Sequence, residues 1–267
     1  ARAALQAGRH VVIEKPMVNT VAEGETLRTL AEETERLLVP FHNRRWDGDF
    51  LTVEKLIRTG RLGDVRHFES HFDRFRPHVV NRWREQPGPG AGAWFDLGPH
   101  LVDQALRLFG RPLAVTARCL CLRKHSEATD NFHVLLHYPA CEVVLHGSTF
   151  AAGPNIRFQV QGTGGSFVKY GLDPQEERLK AGVQPDNAQW AMENEAAFGT
   201  LHTETTCEAI PTESGGYQTF YVQLAAAIDG GGRAPVAVAE ALTGIALIEL
   251  AEESSRRGRT LACSSIL

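Results

Sequence analysis

Apolar residues recur along this chain with two periods, and the switch between them sets the predicted architecture. Leu97, Leu101, Ala105 and Leu108 repeat at helical spacing, as one core-facing stripe should. From residue 65 to 75 the order is instead alternating, with Val65, His67 and Glu69 against Arg66, Phe68 and Ser70, the signature of a half-exposed strand. Before that point the pattern reads helix 1–6 closed by Gly8, strand 10–13, helix 21–36, strand 37–41, a polar connection 43–49 and helix 50–58 closed by Gly60. Thr20 followed three residues on by Glu23 predicts a capping box at the start of the second helix. Beyond residue 110, strands are predicted at 115–122, 131–137, 142–150, 157–161 and 166–170, joined by tight turns and so largely antiparallel. Residues 173–194 are polar and poorly periodic and read as an excursion. Helices at 217–228 and 239–256 close the chain, with the option of packing back on its first part.

The fold class expected is therefore α/β plus α+β. Residues 1–46 read as βα material, ahead of a mostly antiparallel open-sheet domain with helices at residues 47–267. The chain starts in mid-helix, and no G-x-G-x-x-G lies between an early strand and a helix.

Composition narrows the function classes. A net charge of -4 gives no electrostatic case for nucleic acid or an anionic membrane. No apolar run approaches the ~20 residues of a bilayer span, and no signal-like start is present. Five cysteines without ligand spacing read as reduced thiols of a cytoplasmic protein. No metal site is expected: His67 and His71 are four apart but sit on a strand pattern. The Gly162–Gly165 run joins two strands and reads as a hairpin, not a phosphate loop.

Three groups could carry chemistry. Asp96 and His100 are helix neighbours four residues apart, placing a carboxylate beside a titratable imidazole, a suitable general base. On this reading Pro99 must lie in the first helical turn, where its missing N–H costs nothing. Glu14-Lys15-Pro16 ends a short strand, and the ends of parallel strands face the ligand crevice of open α/β sheets. Asn43, Arg44, Trp46, Trp83 and Arg84 form a polar and aromatic set suited either to a sugar's hydroxyls and ring face or to the phosphate of NADP.

The run His10-Val11-Val12-Ile13-Glu14-Lys15-Pro16 followed by the Asp96-x-Gly98-x-His100 helix resembles the Gfo/Idh/MocA family of NAD(P)-dependent oxidoreductases, essentially end to end. Asn43-Arg44-Arg45-Trp46-Asp47 and Trp83-Arg84-Glu85 look most like its branch of NADP-dependent scyllo-inositol dehydrogenases. The sequence departs from the family at Gly90-Ala91-Gly92, where three consecutive glycines are common and Ala91 replaces one of them; the change costs little if φ there is negative.

The resemblance implies a catalytic trio of Lys15, Asp96 and His100. It also implies a cofactor-binding set of Glu14, Lys15, Pro16, Asn43, Arg44, Trp83 and Arg84, with NADP or NAD as cofactor. The implied substrate is a small-molecule sugar, inositol or related polyol, and the implied assembly is a homodimer or higher homo-oligomer through the open sheet face. It further implies that residues 1–46 are the carboxyl-terminal remnant of a truncated Rossmann-like, dinucleotide-binding domain, with roughly 80 residues carrying the Gly-rich strand preceding Ala1. Two rivals share the fold: a non-catalytic sugar-sensing or oligomerisation module, and a redox-neutral lyase or epimerase that uses NAD transiently.

Overall fold

A computed structural model describes residues 1–185 and 189–265. Its first part is a short α/β unit. Helix α1 (Arg2–Gln6) leads to β1 (Val11–Ile13), α2 (Val21–Glu33) and β2 (Leu38–Pro40). β1 and β2 pair in parallel, Val12 opposite Val39. The capping box forms as predicted: the Thr20 hydroxyl accepts from the Glu23 amide, and the Glu23 carboxylate accepts from the Thr20 amide. α3 (Gly48–Arg58) then leads to the large sheet.

That sheet is built from β3 (Val65–His71), β4 (Ala114–Leu120), β5 (Asn131–His137), β6 (Glu142–Ser148), β7 (Ile156–Gly162), β8 (Gly165–Tyr170), β9 (Gly199–His202), β10 (Cys207–Ile210) and β11 (Leu261–Ala262). Among the described residues its order is β10-β9-β8-β7-β3-β6-β5-β4-β11. Every pairing is antiparallel except one: β3 inserts between β7 and β6 and runs parallel to β6. β9 and β10 were not predicted; they are four-residue strands in a stretch with little apolar alternation. The expected excursion at 173–194 contains the short helix α5 (Gln175–Lys180), and its residues 186–188 lie outside the described residues. The Gly162–Gly165 run is the β7–β8 hairpin.

One face of the sheet carries the core. Phe68, Phe132, Val134, Leu145, Phe158 and Val160 are fully buried there, under α4 (Gly92–Phe109) and α7 (Val238–Arg257). The Trp94 indole N–H on α4 donates to the Ile248 carbonyl on α7 at 3.2 Å. The same α7 joins the first part of the chain, with Ala241 and Leu242 packed among Leu5, Met17 and Leu38. Phe220 of α6 (Gln218–Ile228) packs edge-on against Phe41. Both closing helices therefore pack back on the β1–β2 unit. No helix of the described residues is long and apolar enough to cross a membrane.

α4 begins earlier than its sequence suggests. It starts at Gly92, so Pro99 lies in its interior and not in the first turn. Proline there leaves the Phe95 carbonyl without its usual donor, at about 3 kcal/mol. Burying Trp94 completely removes about 200 Å² from water, worth about 5 kcal/mol at about 25 cal/mol per Å². Tertiary burial therefore wins, and the helix extends back to capture Trp94. Gly92 has φ +89, and a Cβ there would lie 2.9 Å from the Thr129 amide nitrogen, so the loop closes only on glycine. Ala91 has φ -82, a conformation alanine adopts freely.

Candidate active site

A cleft of about 750 Å³ lies at the carboxyl ends of β1 and β2, between the small sheet and the amino-terminal half of α4. Glu14, Lys15, Asn43, Arg44, Trp83 and Arg84 line it, as do Asp96 and His100. Residues from four separate stretches of chain are thus brought to one space. Pro16 is the exception. The Lys15–Pro16 peptide is cis, and Pro16 lines not this cleft but a small separate void, together with His42 and Pro99. Trp46 also stays out, packed edge-on to Phe220 at 5.9 Å in the core.

The centre of the site is an ion pair. Lys15 Nζ donates to Asp96 Oδ1 at 3.0 Å and to the Asp96 main-chain carbonyl as well. Both side chains are largely buried. Burial pushes the Lys15 ammonium below its ordinary pKa; Asp96 pulls it back up, and Arg84 and Arg44 add to the lowering. For Asp96 burial acts to raise the carboxyl, but Lys15 and the Arg84 and Arg74 guanidiniums outweigh it and hold the pKa below the usual value. Arg84 reaches the same oxygen, its Nε 3.4 Å from Asp96 Oδ1, while its guanidinium stacks 4.7 Å over Trp83. Trp83 itself is 61% exposed on the rim.

His100 sits one turn further along α4 and is not held by Asp96, contrary to the helix-neighbour expectation. The carboxylate turns to Lys15, and His100 Nδ1 is buried with no hydrogen-bond partner. Burial, and then the charges of Lys15 and Arg44, drive its pKa well below the ordinary imidazole value. The imidazole is therefore neutral at pH 7.

Arg44 forms the far wall. Its Nη1 donates to Asp47 Oδ2 at 3.2 Å, its Nη2 pairs with Glu176, and its Nε is buried and unpartnered. The guanidinium stands 5.0 Å over the Phe72 ring, and Arg74 stands 5.1 Å over the same ring. Asp47 also accepts from the Tyr217 hydroxyl at 2.7 Å, which anchors that wall to the start of α6. Phe72, Arg74, Glu176 and Tyr217 line the cleft and were not singled out as site residues in the sequence. For Phe72 and Arg74 a signal was available: the alternation begun at Val65 continues through them, and strand ends near a crevice supply ligand contacts. Nothing local marks Glu176, which reaches the site by tertiary folding.

Asp103, two turns beyond Asp96, is structural. Its two oxygens accept from Arg45 Nη2 at 2.6 Å and Nε at 2.8 Å, both residues being buried.

The sequence profile of the GFO_IDH_MocA oxidoreductase family's C-terminal alpha/beta domain matches residues 54–263, and that of its NAD-binding Rossmann fold matches residues 1–42. The chain is 47% identical to the oxidoreductase YdgJ of Escherichia coli over 263 residues, covering 98% of this chain and 76% of that protein. It is 43% identical to the scyllo-inositol 2-dehydrogenase (NADP(+)) IolW of Bacillus subtilis, covering 97% of this chain and 74% of that protein. Among solved structures, the oxidoreductase YvaA of Bacillus subtilis superimposes with a TM-score of 0.94 at 42% identity, covering 98% of this chain and 76% of that one.

Proposed function

The chain belongs to the Gfo/Idh/MocA oxidoreductase family, whose amino-terminal part is an NAD-binding Rossmann fold, and on that premise we propose that it transfers hydride between NADP or NAD and a hydroxyl or ketone of a sugar, inositol or related polyol. The observation that carries this reading is the meeting of Lys15, from the end of a parallel strand, with Asp96 and a buried neutral His100 from α4. The scyllo-inositol specificity named for IolW supports the polyol class.

The residues present fit the nicotinamide end of such a cofactor. The cleft opens at the carboxyl ends of parallel strands, and two buried polar atoms beside it, His100 Nδ1 and Arg44 Nε, have no protein partner. Glu14, Lys15, Asn43, Arg44, Trp83 and Arg84 would hold cofactor and substrate; Pro16 acts from behind, by shaping the turn that carries Lys15. When bound, the nicotinamide supplies the hydride acceptor or donor.

The chain's own residues do the rest. Lys15, steered by Asp96, donates a hydrogen bond to the reacting oxygen and stabilises the negative charge that grows on it. The neutral His100 imidazole takes the hydroxyl proton as the C–H bond breaks, and returns it in the reduction direction. Arg44, Arg74 and Arg84 offer charged donors to substrate hydroxyls around that point. In the same proposal residues 1–46 belong to the dinucleotide-binding unit and residues 47–267 to the substrate unit. The open sheet face makes the contact of a homodimer.

The test is turnover by the protein. Inositols and sugars are offered with NADP⁺ or NAD⁺, and nicotinamide absorbance is followed for wild type and Lys15→Met. Substrate-dependent reduction in wild type, lost in Lys15→Met, supports the reading. Product formed without net reduction of added nucleotide, or equal turnover by Lys15→Met, overturns it.

A further inference from the structure

The outer face of the sheet, opposite the core, carries a second cluster of metal-ligating side chains. Along β3 and its extension, His67, Glu69, His71 and Asp73 alternate to that face, while Phe68, Ser70 and Phe72 point into the core. His146 on β6 is the register partner of His71 across the parallel pairing, so the two imidazoles stand side by side with ring centroids 5.1 Å apart. Asp73 lies between them. Its Oδ2 is 3.3 Å from His71 Nδ1, and its Oδ1 is 3.6 Å from His146 Nε2.

We propose that His71, Asp73 and His146 bind a divalent transition-metal ion, Zn²⁺ by their chemistry, at a site separate from the Lys15–His100 cleft. A tetrahedral zinc ion holds nitrogen and oxygen ligands at about 2.0–2.1 Å, which places neighbouring ligand atoms about 3.4 Å apart. Each imidazole has an Asp73 oxygen near that spacing, Oδ2 for His71 and Oδ1 for His146, and one ligand atom from each of the three residues falls in a group no more than 4.8 Å across. Small side-chain rotations close the group to the required edge. Two imidazoles and a carboxylate suit zinc over magnesium or calcium, which prefer all-oxygen sets.

The surroundings orient the ligands as a metal site needs. His71 Nε2 lies 2.8 Å from Glu69 Oε2, so a proton held there leaves Nδ1 as the bare nitrogen facing Asp73. The Ser148 amide donates to Asp73 Oδ1 at 2.9 Å and fixes the carboxylate. His71 and Asp73 also border a cleft of about 470 Å³ next to Asn155 and Tyr170, which gives an ion an entry path and room for a water as fourth ligand. Arg74, the next residue, turns to the other side of the strand and lines the main cleft. The site is thus divided from the reacting centre by the sheet itself, and it stands whether or not the polyol reading does.

The experiment is titration of metal-stripped protein with Zn²⁺ by calorimetry and with Co²⁺ by visible absorption, counted per chain because this face is also the proposed dimer contact. Wild type should take up one equivalent, with the intense absorption of low-symmetry Co²⁺. His71→Ala and His146→Ala should each weaken that equivalent at least tenfold, and Glu69→Gln should weaken it roughly tenfold through the loss of His71 orientation. His133→Ala, a neighbour on the same face with its ring 5.6 Å from His146, should leave it unchanged. Circular dichroism establishes that each variant is folded, and His71→Gln or His146→Gln replaces the corresponding alanine variant if that one is not. Absence of a stoichiometric equivalent in wild type, or its survival in the His71→Ala, His146→Ala double variant, overturns the proposal.

Discussion

Lys15 Nζ and Asp96 Oδ1 are 3.0 Å apart although 81 residues separate them in the chain. The contact joins the end of a strand in the small sheet to the first half of α4, so the small sheet and the helix that covers the large one are tied at the candidate site. It also sets the charge state of the lysine, because Asp96 is the group that raises its pKa against burial.

Asp96→Asn removes that upward pull. The Lys15 pKa then falls further, and the alkaline limb of the rate profile should move to lower pH while kcat drops about tenfold or more. Asparagine keeps the shape and can still accept from Lys15, so the melting temperature should change little. An alkaline limb unmoved in this variant would separate Asp96 from the chemistry of Lys15.

His100→Gln removes the proposed proton acceptor and should lower kcat by about 10²–10⁴ with a smaller change in KM. In wild type the acid limb of alcohol oxidation should lie below the ordinary imidazole value of about 6.5, since burial and the charges of Lys15 and Arg44 keep His100 neutral well below it. A steady-state profile whose acid limb sits at or above that value would point to another base.

The elements that were legible in the sequence are those whose signal is local. The Thr20–Glu23 capping box, the alternation through Val65 to His71 and the β7–β8 hairpin all follow from residues a few positions apart. That Lys15, Asp96 and His100 would line one cleft was legible for a different reason, their resemblance to a known pair of motifs. What stayed hidden depends on distant partners. The insertion of β3 beside β6 pairs His71 with His146, and nothing in either strand's pattern encodes that choice. The early start of α4 depends on Trp94 finding α7 and on the Ala93 amide finding the Thr129 carbonyl. The Asp96–His100 pairing failed because Lys15, remote in sequence, competes for the carboxylate.

Asp103→Ala tests the structural role of the residue beside the trio. It leaves Arg45 buried, with two of its donors stripped of the carboxylate that now holds them and only Glu240 and the Pro235 carbonyl left. Removing one partner of a buried pair costs about 3–5 kcal/mol. Denaturant melts should show that loss, and kcat per folded molecule should be near wild type. Full stability in this variant would mean that the pair is dispensable.

Gly147→Ala probes the packing of β6 against β5. A Cβ at this position would lie 2.3 Å from the Phe132 ring, which is itself fully buried against Trp94 at a centroid distance of 5.0 Å. The ring cannot yield without displacing the indole that begins α4, so the variant should lose about 1–3 kcal/mol by overpacking. Unchanged thermal stability would show that the Trp94–Phe132 layer has slack.

Burial of a neutral His100 also links stability to pH. Its folded pKa lies well below 6.5, whereas in the unfolded chain it titrates near that value. Below about pH 6.5 the unfolded state therefore binds a proton that the folded state refuses, and the stability contributed by this residue falls as pH falls. Other groups titrate the opposite way in the same window. Burial pushes the Asp47 and Asp173 carboxyls up to about 6 and about 8, and His71, for which burial is outweighed by Asp73 and Glu69, is also raised. The whole-protein curve mixes these effects, so the comparison must be with a variant lacking only the imidazole. The stability difference between wild type and His100→Asn should shift against wild type by about 1 kcal/mol between about pH 6.5 and about pH 5.5. Urea titrations at those two values and at about pH 7.5 measure it, and a difference that stays constant across all three would mean that His100 takes up its proton in the folded protein as readily as in water.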